Sequence, residues 1–151
     1  MPPGGEGTIT LKVTTRGYGG QNIAKSVTVH TNDQNKPSQL IRISGTIEEF
    51  VLIEPKRVRL VGHVETPLQE TITIVPTASY PFTVTGIRLR KGEHVGAKLR
   101  FKPDGQGYEV EVVNRRRTVG RYYDVVILTT DSTIQRELNI NIYGQIIDNP
   151  R

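Results

Sequence analysis

The chain has 151 residues, enough for one domain of roughly 100–200 residues or for about one and a half small β-sandwich units. Hydrophobic residues make up 35% of it, with 15 Gly and 9 Pro, a β-rich globular composition that excludes a disordered chain. The absence of Cys excludes disulfides, thiolate metal sites and Cys nucleophiles, and the net charge of +5 permits a polyanionic partner without requiring one.

Apolar residues recur at every second position along the whole chain, which is the spacing of half-buried strands. Turns rich in Gly, Asn and Pro separate these runs, and no segment has a 3.6-residue period. The pattern predicts an all-β sandwich or barrel, and no apolar run is long enough to enter a membrane. In chain order the runs contain Ile9, Leu11 and Val13; Val27 and Val29; Ile41 and Ile43; Ile72 and Ile74; Phe82 and Val84; Leu99 and Phe101; Tyr108, Val110 and Val112; Tyr123, Val125 and Ile127; and Leu138, Ile140 and Ile142.

Two stretches near the start of the chain recur near its end. Val27–Asp33 resembles Val125–Asp131 at an offset of 98 residues, and Ile41–Ile47 resembles Ile140–Ile146 at an offset of 99. A repeat of this length marks tandem copies of one structural unit. We therefore expect residues 50–151 to form a complete sandwich and residues 1–49 to form the C-terminal half of another.

Such a half-unit would expose its apolar face, and an exposed face of this size needs a cover. A second copy of the chain could cover it in a homodimer, or the strands could fold back onto the second unit as extra edge strands. We expect the dimer. Its packing face would consist of Ile9, Leu11, Val13, Val27, Val29, Ile41 and Ile43.

Several motifs resemble the Hydin-type, or ASH, immunoglobulin-like domain. They are the opening at residues 3–9, the strand and turn Ser26–Asp33, the ending Leu40–Ile47 and, more loosely, Thr129–Asp131 and Ile142–Ile146. The similarity extends to a bacterial family of domains of unknown function, which form tandem sandwiches in exported or lipid-anchored proteins. The resemblance implies an immunoglobulin-like β-sandwich in the periplasm or cell envelope, with a secretory signal expected upstream in a longer parent protein.

Few residues suggest chemistry. Asn32, Asp33 and Asn35 could offer oxygens to calcium, but Asx residues also close turns by binding backbone amides, and this second interpretation is favoured. No nucleophile lies beside a base and no carboxylates are paired, so we expect no catalysis and no cofactor. The histidines lie on separate predicted strands or loops, without the close spacing of a metal site: His30, His63 and His94.

A predicted hairpin explains much of the basic charge. Its strands would place Leu99 and Phe101 inward, facing the apolar residues of the next strand. Opposite charges across a hairpin stabilise it by about 0.2–1 kcal/mol per pair. The outward residues would be Lys98, Arg100 and Lys102 on one strand, facing Glu109 and Glu111 on the other.

Three arginines remain in a predicted loop, namely Arg115, Arg116 and Arg117. Their guanidinium forks could hold phosphate or carboxylate, but no interleaved aromatic residues accompany them, so nucleic acid is a disfavoured partner. We predict a non-catalytic structural or protein-interaction module that binds a protein partner or itself. Two alternatives stay open: a polyanion-binding module that uses this loop, and a carbohydrate-binding accessory domain with Tyr122 or Tyr123 as an aromatic platform.

Overall fold

The computed structural model describes residues 4–149, and the chain divides into two compact units, Met1–Glu49 (unit 1) and Phe50–Arg151 (unit 2). The described residues form ten strands, and they include no helix with the length and apolarity that a bilayer crossing needs. The strands are β1 (Asn22–His30), β2 (Ser38–Thr46), β3 (Val51–Glu54), β4 (Arg57–His63), β5 (Gln69–Pro76), β6 (Val84–Leu89), β7 (Val95–Phe101), β8 (Tyr108–Asn114), β9 (Gly120–Thr130) and β10 (Glu137–Ile147).

Unit 2 is a sandwich of two four-stranded sheets, with strand orders β4-β10-β9-β6 and β3-β5-β8-β7. Neighbouring strands are antiparallel except β4, which runs parallel to β10. Alternate residues of each strand point between the sheets and form one apolar core. The predicted all-β immunoglobulin-like sandwich is confirmed in this unit. Its fully buried residues include Val58, Ile72, Ile74, Val110, Val112, Val126, Leu128, Ile140 and Ile142.

In unit 1 the strands β1 and β2 form an antiparallel hairpin that copies the β9–β10 hairpin. Val27 pairs with Ile41 as Val126 pairs with Ile140, so the offset is 99 residues on both strands. The offset of 98 inferred for the first strand is therefore wrong by one residue. Since a one-residue slip exchanges the two faces of a strand, the counterpart of Val27 is the core residue Val126 and not Val125.

The turns of the two hairpins confirm this alignment. The Thr31 hydroxyl donates to the Lys36 carbonyl at 2.8 Å, and the Thr130 hydroxyl donates to the Gln135 carbonyl at 2.6 Å. In the first turn the Asp33 carboxylate accepts from the backbone amides of the residues two and three positions later. Turn closure by an Asx side chain is thus confirmed as the role of Asp33.

Residues 8–13, predicted to be a strand, form none in the structure. At the same 99-residue offset this segment corresponds to β8, which is held on both sides by β5 and β7. Residues 4–49 include no counterparts of β5 and β7, so the segment lacks the neighbours whose hydrogen bonds would make it a strand. Apolar alternation alone does not supply them.

Phe101 also departs from its predicted position. It pairs with Tyr108 as expected, with ring centroids 5.3 Å apart, but it is 73% exposed. Phe101 is the last residue of β7, which lies at the edge of its sheet, whereas Leu99 lies two residues further in and packs against the core. The alternation correctly predicts the face of β7 on which Phe101 lies, but the apolar core does not extend as far as this end of the strand.

Candidate functional site

The loop between β8 and β9 is held in shape by polar contacts of its own residues. The Arg116 amide donates to the Asn114 side-chain oxygen at 3.1 Å, and the Asn114 side-chain amide donates to the Arg116 carbonyl at 3.1 Å. The Arg116 guanidinium donates to the carbonyls of Thr118 and Val119 at 2.9 and 3.1 Å and lies 3.2 Å from Nε2 of His94. Arg116 therefore closes the loop rather than facing a ligand.

The other two arginines of this loop have different surroundings. The Arg115 guanidinium lies over the backbone of Gly96, where any side chain would collide with it. Arg117 is exposed and makes no hydrogen bond or ion pair with another described residue. The guanidinium groups of Arg115 and Arg117 thus have no hydrogen-bond or ion-pair partner among the described residues, whereas that of Arg116 is engaged by its own loop.

Tyr122 anchors the same end of the sandwich. Its ring packs on Gly144 of the neighbouring strand, and its hydroxyl donates to the Asn114 side-chain oxygen at 2.8 Å. Burial raises the pKa of Tyr122 to about 12, because the phenolate would lose its hydration there. Tyr122 stays neutral at physiological pH and has a structural role, so it does not form an exposed aromatic platform.

The β7–β8 hairpin pairs its charges as predicted. Lys98 lies opposite Glu111 and Arg100 lies opposite Glu109, while Arg100 forms its ion pair diagonally, with Glu111. Lys102 lies 3.4 Å from the carboxylate of Asp104 in the connecting loop. The basic residues of this face are thus largely balanced by neighbouring acids.

Asp124 is a buried carboxylate, the kind of group that acid–base catalysis uses. Burial by itself would raise its pKa, but the backbone amides of Gly92, Lys91 and Val125 donate to it at 2.8, 3.0 and 2.8 Å and hold the pKa below its usual range. The carboxylate is therefore ionised and saturated with donors. It fixes the turn between β6 and β7.

The histidines lie apart, and no group of three His, Asp or Glu side chains within residues 4–149 could hold a metal ion. His30 lies 3.1 Å from the Ser38 hydroxyl at the end of the first hairpin. His63 bonds the Asp148 carbonyl at 2.8 Å, and the His94 ring packs on Tyr122. Each ring has a local packing or hydrogen-bonding role.

The outer face of the β4-β10-β9-β6 sheet brings arginines and tyrosines together. Tyr123 of β9 lies opposite Tyr143 of β10, with ring centroids 5.1 Å apart, and both rings are about 40% exposed. Arg59 of β4 flanks Tyr143 on the other side. We call this surface the arginine–tyrosine face and define it by Arg57, Arg59, Arg121, Tyr123 and Tyr143.

This face carries unbalanced positive charge. Its arginines line an open cleft of about 430 Å³ together with Tyr143 and Gln145. The guanidinium groups of Arg57, Arg59 and Arg121 make no hydrogen bond or ion pair with any other residue of the described chain. The three outward-facing rows at the cleft contain no Asp or Glu; they are Arg57–Asn141–Val125, Arg59–Tyr143–Tyr123 and Val61–Gln145–Arg121.

Sequence reasoning did not find this cluster. Arg57 and Arg59 are close in the sequence, but nothing there brings them near a tyrosine. The apolar run predicted for β9 groups Tyr123 with Val125 and Ile127, whereas the core contains Val126 and Leu128 and Tyr123 is exposed. Tyr143 joins the arginines because β4 pairs in parallel with β10, two strands far apart in the sequence. The alternation of Val58 and Leu60 with these arginines was the one available sign that β4 is a strand with a basic outer face.

Unit 1 has a groove on the inner face of its hairpin. The groove measures about 480 Å³ and is lined by Leu11, Val13, Tyr18, Val27 and Ile43, with Lys12, Thr14 and Lys25 also lining it. These apolar residues occupy the positions that a facing sheet would cover in a complete sandwich. The groove includes four members of the predicted packing face.

Comparison with known proteins finds matches among solved structures alone. No family model matches the sequence, and no curated protein matches it. Among solved structures, the chain is similar to the ASH/PapD-like domain of human CEP192 (PapD-like domain 7). The identity is 11%, the match covers 67% of this chain and 87% of that chain, and the TM-score is 0.42. The resemblance to the bacterial family of unknown function stays a prediction.

Proposed function

We propose that this protein is a non-catalytic interaction module that pairs with a second copy of itself through the inner face of its first hairpin. The main support is a contrast between two hairpins of equal register. Val126 and Ile140 of unit 2 are fully buried, whereas their counterparts in unit 1, Val27 and Ile41, are 39% and 37% exposed. The same strand pair has a cover in one unit and lacks one in the other.

The cover in unit 2 is the β3-β5-β8-β7 sheet, at the spacing of about 10 Å that separates packed sheets. In unit 1 the segment around Leu11 and Val13, with Tyr18, lines the groove together with Val27 and Ile43 of the hairpin. A layer of β structure with an apolar inner face would complete this unit. A second copy of the hairpin supplies such a layer, and a two-fold axis would make the contact self-complementary.

The expected affinity is moderate. Burying the exposed part of each apolar side chain stabilises the complex by about 1 kcal/mol, so the two copies together contribute several kcal/mol beyond the cost of association. This corresponds to a dissociation constant of about 1–100 µM. Lys12 and Lys25 lie at the groove, where their aliphatic stems can cover apolar surface while the ammonium groups stay in water.

Light scattering on two matched variants tests the proposal. Ile41 points to the inner face of β2, and Leu40 beside it points to the outer face and is 69% exposed. We expect the wild-type chain to dimerise with rising concentration, Ile41→Lys to stay monomeric and Leu40→Lys to behave like wild type. A chain that stays monomeric above about 100 µM, or equal weakening by both substitutions, would contradict the proposed interface.

A further inference from the structure

We propose that the arginine–tyrosine face of unit 2 binds an acidic polypeptide segment, in an extended conformation, with carboxylates at alternate positions. This inference concerns a surface outside the proposed dimer interface. It depends on three observations: the unengaged arginines, the tyrosine pair between them, and the absence of that pair from the equivalent hairpin of unit 1.

The arginines have the spacing of an extended peptide. Arg57 and Arg59 lie two residues apart on the same face of β4, so their Cα atoms are about 6.6 Å apart. Alternate side chains of an extended ligand repeat at the same distance. Arg121 lies on β9, the strand of Tyr123, about 10 Å across the sheet from β4. Along the strands, Arg57 and Arg121 are in the outward-facing rows on either side of the row that contains the tyrosine pair. A ligand along the cleft can thus meet positive charge on both sides.

The chemistry of the guanidinium group favours carboxylate ligands. Each arginine presents a planar fork of donors that matches the two oxygens of a carboxylate. Because Arg57, Arg59 and Arg121 have no acidic partner among the described residues, their charge is available to an external one. Tyr and Arg are also, with Trp, enriched among the residues that contribute most to binding at protein interfaces.

The hairpin does not need the tyrosine pair in order to fold. At the 99-residue offset, Tyr123 and Tyr143 correspond to Ala24 and Ser44, which pair in the same register. Tyr123 and Tyr143 therefore add apolar area and hydroxyl groups to a scaffold that forms without them. Their position between unengaged arginines indicates a role in binding.

The arrangement of the rings favours a peptide over a nucleic acid. The two rings lean on each other at 49°, and the Tyr123 hydroxyl donates to the Asn141 side-chain oxygen at 2.9 Å. Stacking of bases requires aromatic faces that are free to receive them. Here each ring turns part of its face to the other, which leaves a ridge suited to side-chain contacts rather than a flat platform.

The test is fluorescence anisotropy of a labelled peptide, roughly ten residues long, in which Glu alternates with Ser. The variants are Arg59→Gln and Tyr143→Leu, and the matched control is Arg117→Gln, which removes the same charge from an exposed, unengaged arginine in the β8–β9 loop. We expect Arg59→Gln and Tyr143→Leu each to weaken binding about three- to fivefold, and Arg117→Gln less than twofold. Wild-type affinity should fall as salt is raised.

Three results would overturn the proposal. If Arg59→Gln and Arg117→Gln weakened peptide binding equally, the affinity would depend on the net charge of the protein and not on this face. If Arg59→Gln and Tyr143→Leu both bound the peptide with wild-type affinity, the cleft would be excluded as the binding site. Tighter binding of an oligothymidylate or a uronic-acid polysaccharide of equal charge, with the same dependence on Arg59 and Tyr143, would assign the face to that polymer.

Discussion

Replacement of Asp124 by Ala should destabilise unit 2 strongly, although its side chain lies on the face of β9 opposite to the arginine–tyrosine face. The Asp124 carboxylate accepts from the amides of Lys91 and Gly92 and so connects the β6–β7 turn to β9. The substitution removes the charge and both of these acceptors together. It also removes the bond from the Val125 amide, which as a contact between neighbouring residues contributes least.

The expected loss follows from the number of bonds. A hydrogen bond to a charged group contributes about 1.5–3 kcal/mol when it stays dry. Lys91 and Gly92 are exposed, so water can reach their amides once the carboxylate is gone, and about 1–2 kcal/mol per bond is a better figure. The total is about 2–4 kcal/mol, or roughly 10–20 °C in melting temperature for a unit of this size.

The pH dependence gives a second measurement of the same interaction. The pKa of Asp124 is lower in the folded protein than the value of about 3.9 expected when unfolded. Its contribution is therefore fully present above about pH 4 and is lost as the pH falls through the lower folded pKa. The stability difference between wild type and Asp124→Ala should be constant from pH 7 to about pH 5 and should narrow below pH 4.

Urea unfolding followed by circular dichroism measures both effects. Asp131→Ala is the matched control, because the exposed Asp131 carboxylate accepts from a single backbone amide, that of Thr83 at 2.7 Å. We expect this control to lose at most about 1 kcal/mol. The assigned role would be refuted if Asp124→Ala lowered the free energy of unfolding by less than about 1 kcal/mol. It would also be refuted if the difference in unfolding free energy between wild type and Asp124→Ala did not change between about pH 7 and pH 3.

Two other substitutions test packing in unit 2. Gly144→Ala should lower the free energy of unfolding by about 1–3 kcal/mol, because its methyl group would occupy the place of the Tyr122 ring. The substitution should also weaken the Tyr122–Asn114 hydrogen bond, which a spectroscopic titration would detect as a downward shift of the Tyr122 pKa. Phe101→Ser should lower the free energy of unfolding, measured in urea, by less than about 1 kcal/mol, because the ring is exposed. A decrease of about 3–5 kcal/mol would mean that Phe101 is buried in solution.

Alternation was sufficient to predict most strands and core residues of unit 2, because each face of a half-buried strand has one kind of neighbour. It could not predict where hydrogen-bonding partners are missing. Residues 8–13 have the same pattern as β8 but lack the flanking strands that β8 has. A segment becomes a strand only when neighbouring strands bind its backbone, and the alternation of its own residues does not show whether those neighbours are present.

The candidate surfaces show the same limit. The Arg115–Arg117 run is conspicuous in the sequence, yet the structure uses Arg116 to close its own loop. The arginine–tyrosine face is scattered through the sequence and forms only when β4 aligns with β10 and β9. Adjacency in the sequence is thus a weak guide to binding surfaces in a sandwich, where neighbouring residues on a strand point to opposite faces.

The two hairpins separate what the fold requires from what it leaves free. Both have the same register, the same turn hydrogen bonds and the same residue at three inner positions, Val27 and Val126, Ile41 and Ile140, and Ile43 and Ile142; these features suffice to form the strand pair. They differ in whether the inner face is covered and in whether the outer face carries Ala24 and Ser44 or Tyr123 and Tyr143. Since neither difference is needed to form the hairpin, these are the positions at which the two units can have acquired separate binding roles.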